Sequence, residues 1–356
     1  MLQGLTIRTA FGAASLAFAI VASTGAARAS APNSISYTFQ TVDDPASTSN
    51  FNRVTSIDDA GEIVGNYGDT STCPSSDPLS SFSSQPGYTS FTPLNFPNAN
   101  GTYAASIPPS GGLNSQLIVG YACGVKSLNK NTVWGFIDYQ NNWSLIKKPS
   151  NEGSGVCAVN QILGINDSQY SVGFFLDSNC NGHAIEITPG EVIKKLYPPN
   201  ASSAEATGID DNGDIVGFET TSSGIQGWYF DASTNQYSTY SFPGAIATES
   251  YGTNSQGYVV GTYENTSKKW RGFLLVNPTA PPSQQIWQDI PEPKSVGVTV
   301  ISGINDLDDI CGWYEGAQIY HGFVAMPPGG ILWHRATRWT APRVPGAASP
   351  NATKGD

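Results

Sequence analysis

Six copies of one short pattern constrain this chain more than any other feature it has. The pattern is Gly or Ser, Ile, Asn or Asp, Asp, then a turn glycine, a β-branched pair and a final Gly. The first copy reads Ser56-Ile57-Asp58-Asp59-Ala60-Gly61-Glu62-Ile63-Val64-Gly65, and the fourth reads Gly208-Ile209-Asp210-Asp211-Asn212-Gly213-Asp214-Ile215-Val216-Gly217. Three more run from Gly164 to Gly173, Gly252 to Gly261 and Gly303 to Gly312. A looser, slightly stretched copy ends at Ile118-Val119-Gly120. The final glycines recur every 44 to 55 residues. A period of that length signals stacked supersecondary units, none of which can bury its apolar face alone.

Each copy shares an internal grammar, clearest in the fourth. Ala206–Ile209 reads as strand A and Asp214–Glu219 as strand B, joined by the tight turn Asp210-Asp211-Asn212-Gly213. Gln226–Asp231 reads as strand C and Gln236–Phe242 as strand D, stopped by Pro243-Gly244. Asp or Asn followed by Gly is hairpin turn chemistry, because Gly supplies the positive φ. Strand C carries Gly then an aromatic residue, as in Gly135-Phe136, Gly227-Trp228, Gly272-Phe273 and Gly322-Phe323.

Four short antiparallel strands per repeat predict an all-β fold, a six-bladed β-propeller of four-stranded antiparallel blades. The N-terminal stretch from Ser34 to Val42 resembles a D strand and precedes the first A strand. It is therefore expected to close the ring by completing the last blade, which hides two open sheet edges. The alternative donor of that strand is Ile331–Trp339.

The Ile-Asn-Asp-x-Gly-x-Ile-Val-Gly unit is followed in places by His183-Ala184-Ile185 or His321-Gly322-Phe323. These units resemble the HAF-family probable extracellular repeat, across roughly Val54 to Met326. The resemblance implies a secreted, β-rich protein and no particular reaction, cofactor or ligand. The His-Ala-Phe unit is degenerate, with Trp134, Gln226 and Arg271 at the histidine position elsewhere.

The first residues read as an address. Arg8 precedes an apolar run from Ala10 to Ala22, and Ala27-x-Ala29 is a small-residue cleavage site. The expected organisation is a signal peptide at 1–29, the repeat domain at 30–333 and a disordered Pro/Ala/Gly-rich tail at 334–356. The apolar run is too short for a membrane anchor, so the expected location is extracellular or periplasmic. Net charge is -11, and losing residues 1–29 removes two arginines and no acid. Such a surface repels phosphate backbones, so nucleic acid is not an expected partner. A glycan, a cation or an extracellular protein is.

No residue is nominated as catalytic or as a metal ligand. The three histidines lack zinc spacing, and no nucleophile elbow or P-loop is present. The Asp58-Asp59, Asn166-Asp167, Asp210-Asp211 and Asn305-Asp306 pairs suggest calcium, the one cofactor considered. Their tight turns favour backbone capping instead, since calcium wants more oxygens than one turn supplies.

The sharper candidates lie in the D–A connections, which share one face of a propeller with the B–C loops. Asp43, Asp44, Glu152, Glu205, Glu249 and Glu292 place an acid in most of them. Glu205 and Glu249 hold the same offset before their final glycines, where the first copy has Arg53 and the third Gln161. Glu205, Glu249, Arg53, Glu152 and Glu292 are therefore the candidate ligand-binding residues.

Among five cysteines, Cys311 stands at a strand-B valine position and reads as a buried free thiol. Cys157–Cys180 and Cys73–Cys123 are the expected disulfides, because all four project to one face of an exported chain. Trp228 and Trp313 read as blade packing, while Trp143, Trp270 and Trp287 are less constrained. Three roles compete: a non-catalytic binding propeller, a glycan-active enzyme using mouth carboxylates, and a structural cell-surface module.

Overall fold

The computed structural model describes residues 34–47, 51–68, 79–111, 116–126, 132–146, 149 and 152–328. The expected signal peptide, the tail from 334 onward, the alternative strand at Ile331–Trp339 and Cys73 lie outside the described residues. A leading strand, β1 (Thr38–Val42), precedes the repeats. The first repeat holds β2 (Asn52–Ile57), β3 (Ile63–Tyr67), β4 (Ser80–Ser84) and β5 (Phe91–Leu94). The second holds β6 (Gly101–Ser106), β7 (Leu117–Cys123), β8 (Val133–Tyr139) and β9 (Asn142–Leu145). The third holds β10 (Asn160–Ile165), β11 (Ser171–Leu176), β12 (Gly182–Ile187) and β13 (Ile193–Lys195). The fourth holds β14 (Ser203–Ile209), β15 (Ile215–Thr221), β16 (Gly224–Asp231) and β17 (Gln236–Tyr240). The fifth holds β18 (Ala247–Thr253), β19 (Val259–Glu264), β20 (Trp270–Val276) and β21 (Ile286–Ile290). The sixth has β22 (Thr299–Ile304), β23 (Ile310–Glu315) and β24 (Tyr320–Met326).

The arrangement is all-β and propeller-like, built of four-stranded antiparallel sheets. It departs from the expected six separate blades. Four sheets stand alone with four strands each, while β14–β17 and β18–β21 merge into one eight-stranded sheet. The cause is a single parallel bridge between Ile225 and Ala247. Comparable parallel bridges join Phe51 to Tyr320 and Val133 to Val159. Those two leave the sheets separate because Phe51 and Val159 fall just outside their strands. β1 pairs antiparallel with β24, from Thr38 opposite Met326 to Val42 opposite Gly322.

The recurring final glycine has a clear physical cause. In each repeat strand A carries a bulge, as between Ala206 and Gly208 or Ser250 and Gly252. The bulge turns a strand-A carbonyl onto the glycine of strand B. A Cβ added at Gly217 would lie 2.0 Å from the Glu205 carbonyl and 2.5 Å from the Trp228 ring. Trp228 is the cross-strand partner of Gly217, as Phe82, Phe136, Phe273 and Phe323 are of Gly65, Gly120, Gly261 and Gly312. The absent side chain lets each ring lie flat over strand B, and all five rings are fully buried. In the third repeat Ile185 takes this place opposite Gly173, and it too is fully buried.

The apolar clusters sit between neighbouring sheets. One gathers Val172 and Ala184 of the third repeat with Ala206, Ile215 and Trp228 of the fourth. Another joins Cys311 and Val324 of the sixth to Val54, Ile63 and Phe82 of the first. Burying such side chains contributes about 1.5–3 kcal/mol each.

The A–B turns link in sequence. The Ser110 amide donates to Asp167 at 2.9 Å and the Asp167 amide to Asp211 at 2.8 Å. Asn212 Nδ2 donates to the Ser255 carbonyl, the Ser255 amide to Asp306, and the Asp306 amide to Asp59. The Asp59 amide donates to the Pro109 carbonyl at 2.8 Å. Within the turns, Asp210 Oδ1 accepts the amides of Asn212 and Asp214, and Asp58 Oδ1 accepts those of Ala60 and Glu62. These carboxylates are committed to backbone capping, and no group of three or more His, Cys, Asp or Glu able to hold a metal ion occurs among the described residues.

Cys157 and Cys180 form the expected disulfide. Cys123 is disulfide-bonded as well, and its expected partner Cys73 lies outside the described residues. Cys311 is free and buried. No helix among the described residues is long and apolar enough to cross a membrane.

Candidate functional site

The innermost strands β2, β6, β10, β14, β18 and β22 line a cavity of about 380 Å3. They lie side by side in that order, and β22 also packs against β2. The residue just before each bulge, or two before it, turns inward because strand A alternates. The bulged residue, two positions further on, faces the same way and forms a second inward layer. The outer layer includes Arg53, Tyr103, Gln161, Glu205, Glu249 and Val300, and the inner layer includes Thr55, Ala105, Leu163, Thr207, Tyr251 and Ser302.

Glu205 and Glu249 thus occupy equivalent positions on adjacent strands. Both belong to strand A and not to the D–A connections where the sequence placed them. Burial and repulsion from Glu249 push the Glu205 carboxyl up to about 8. Burial likewise pushes Glu249 up to about 7, opposed by the hydroxyl of Tyr251, which donates to Glu249 Oε2, and helped by repulsion from Glu264. Glu249 is only 2% exposed, and its Oε1 is buried without a hydrogen-bond partner among the described residues.

Arg53 lies three strands from Glu205 in either direction. Its guanidinium stands over the rings of Phe51 at 5.0 Å and Trp313 at 5.3 Å. Phe51 stacks on Tyr320 at 4.9 Å, and Tyr103 stacks on Tyr121 at 4.7 Å. Burial raises the Tyr103, Tyr121 and Tyr251 hydroxyls, so all three stay protonated near neutrality.

The structure therefore brings together three of the five candidates, Arg53, Glu205 and Glu249, and sets the other two apart. Glu152 accepts a hydrogen bond from Asn160 Nδ2 at 2.9 Å, and Glu292 accepts the Lys294 amide in its own turn. Neither lines the cavity. His183 and His321 also lie outside it, held by Asp177 at 2.9 Å and Asp43 at 2.6 Å. Trp313 lines the cavity and so is not mere blade packing, unlike the fully buried Trp228. Sequence reasoning missed Tyr121, Phe218 and Tyr251. The available signal was the residue after the final glycine, which at Tyr121, Phe218, Thr262 and Trp313 faces the cavity.

No protein-family model and no curated protein matches this sequence. Solved structures do match in fold. TolB from Acinetobacter baumannii is similar over 75% of this chain, at 8% identity and a TM-score of 0.50, and the match spans 64% of the TolB chain. A luciferin-regenerating enzyme is similar over 83% of this chain and 96% of its own, at 10% identity and a TM-score of 0.50. The Aleuria aurantia lectin, a fungal six-bladed β-propeller, is similar over 78% of this chain and 95% of its own, at 13% identity and a TM-score of 0.44. At such identities the likeness concerns the fold alone.

Proposed function

We propose that this chain is an exported, non-catalytic propeller of six repeat units that binds a small ligand in its central cavity. The observation that carries this reading is Glu249, a buried carboxylate whose Oε1 has no partner among the described residues and which lies beside Glu205 among aromatic walls. An unpaired buried polar atom costs free energy unless something pairs with it. The aromatic faces and few polar groups are what small-molecule sites usually offer. The six-unit ring is supported by the turn-to-turn hydrogen bonds, and its completion by the N-terminal strand is supported by the β1–β24 pairing. Export, which the Cys157–Cys180 disulfide supports, belongs to the same proposal, as does the likeness to HAF-type repeats, which rests on the sequence units alone.

A thermal-shift screen of the full chain against divalent ions, amines and glycans tests it, because a ligand of the native state raises the melting temperature. A shift that disappears in Glu205→Gln/Glu249→Gln supports the cavity as the site. A shift that survives the double substitution places binding elsewhere and defeats the reading.

The second reading is glycan hydrolysis. It is favoured by two neighbouring carboxylates raised to about 8 and 7, because a general acid needs such a shift. Turnover of aryl glycosides that stops in Glu205→Gln would establish it.

A further inference from the structure

Resting on the ligand-binding role proposed above, we infer that the cavity takes a primary or secondary organic ammonium ion, seated between Glu205 and Glu249 with its carbon body against the aromatic walls. Glu249 Oε1 is a buried acceptor with no donor among the described residues, and a ligand N–H would supply one. Two adjacent carboxylates out of water repel each other, and one positive charge between them relieves that repulsion. The walls point the same way. Tyr103, Tyr121, Phe218, Tyr251 and Trp270 line the cavity, and aromatic faces attract a cation more than a neutral ligand of equal shape. Arg53, held over Phe51 and Trp313, carries positive charge on the far wall. The cationic head is therefore directed to the β14–β18 side.

Titration adds a second handle. The charged and titratable groups around the pair are Glu264 on β19, Glu219 on β15, Tyr251 on β18, Tyr103 and Tyr121 on β6 and β7, and Arg53 on β2. The buried tyrosines are raised out of the neutral range. Between about pH 7 and 8, loss of protons from Glu249 and Glu205 creates the charge that the ammonium ion needs. Affinity for a cation then rises with pH, while affinity for a neutral ligand does not.

Isothermal titration of the full chain with benzylammonium, and with benzyl alcohol as its uncharged counterpart, decides the matter. The expected result is binding of benzylammonium at least about tenfold tighter than the alcohol, in keeping with hydrogen bonds to charged groups. The expected affinity strengthens from pH 6 to pH 8 and is lost in a folded Glu205→Gln/Glu249→Gln variant. Equal binding of the two probes overturns the ammonium assignment and leaves the ligand-binding role standing. A lack of binding by benzylammonium at every pH also overturns it, whereas the thermal-shift screen judges the cavity role separately. The pH series on the unmodified chain keeps the assignment falsifiable if the double variant fails to fold.

Discussion

The backbone amide of Asp306 donates to the carboxylate of Asp59 at 2.9 Å, joining turns 247 residues apart. Asn305 reinforces the junction. Its Nδ2 donates to the Asp58 carbonyl at 2.8 Å, while its Oδ1 accepts the amides of Leu307 and Asp309. One buried side chain therefore caps its own turn and holds the last repeat to the first. Asn305→Ala strands one carbonyl and two amides, so it is expected to cost about 2–3 kcal/mol. Urea denaturation measures this. A loss below about 0.5 kcal/mol, the range of ordinary surface changes, would mean that the junction is held elsewhere.

The final glycine of each pattern copy, on strand B, supports both the core and the cavity. Gly217→Ala forces a Cβ against the Glu205 carbonyl and the Trp228 ring. Relief requires moving strand A, which carries Glu205, or the Trp228 ring, the largest fully buried side chain among the described residues. The expected cost is about 3 kcal/mol or more, the scale of strain and overpacking in a dense core. Gly244→Ala is the control, with φ +79 and nothing within 4 Å. It is expected to cost only about 1–2 kcal/mol for the left-handed backbone. Similar losses in the two variants would show that the close approach is not what demands glycine.

The repeat grammar was legible because it encodes local events. Asp58 and Asp210 cap turns, and Gly217 makes room for Trp228, and each event needs its residue type at a fixed spacing. The cavity was only partly legible. Glu205 and Glu249 share an offset, so symmetry brought them to notice. Glu152 and Glu292 shared only the property of being acids near a connection, and they proved to serve hydrogen bonds in their own surroundings. Tyr251 stands two residues after Glu249 and shares its strand face by alternation, and Phe218 follows a final glycine, so both carried a signal; neither is an acid, the property that marked the other candidates. The merging of the fourth and fifth sheets hangs on one bridge, Ile225 to Ala247. Strand ends shift by a residue too easily for sequence to specify such a bridge.

Stability should fall as the pH rises from the acid range to about 8. Burial raises Glu205 to about 8, and Glu249 and Asp210 to about 7. Burial also raises Asp58, which lies beside Glu62. An unfolded chain releases these protons near pH 4, while the folded chain holds them until about pH 7 to 8. Over that interval the native state binds more protons than the unfolded state, so stability declines with rising pH and levels off beyond it. Melting temperatures recorded from pH 5 to pH 9 should trace that decline. Glu205→Gln/Glu249→Gln should flatten it and exceed the parent in stability above pH 8. An unchanged slope would assign the decline to the turn carboxylates alone.

The fourth residue before each final glycine adopts a left-handed backbone in every repeat, whatever its identity. Gly61, Gly213 and Gly257 do so at φ 78, 84 and 73, and Gln116, Gln169 and Asp308 at φ 49, 63 and 63. A side chain there costs roughly 1–2 kcal/mol, which glycine avoids while giving back about 0.5–1 kcal/mol of chain entropy. Gln169 is exposed, and only its backbone amide has a role, donating to the Asn166 carbonyl. Gln169→Gly should therefore stabilise the fold by about 0.5–1 kcal/mol. Asp308 differs, because its Oδ1 accepts from Asn254 Nδ2 at 3.1 Å. Asp308→Gly trades that bond for the relaxed backbone and should be close to neutral. Chemical denaturation of both variants separates backbone relief from side-chain bonding. A destabilised Gln169→Gly would show that the turn tolerates the side chain at no cost.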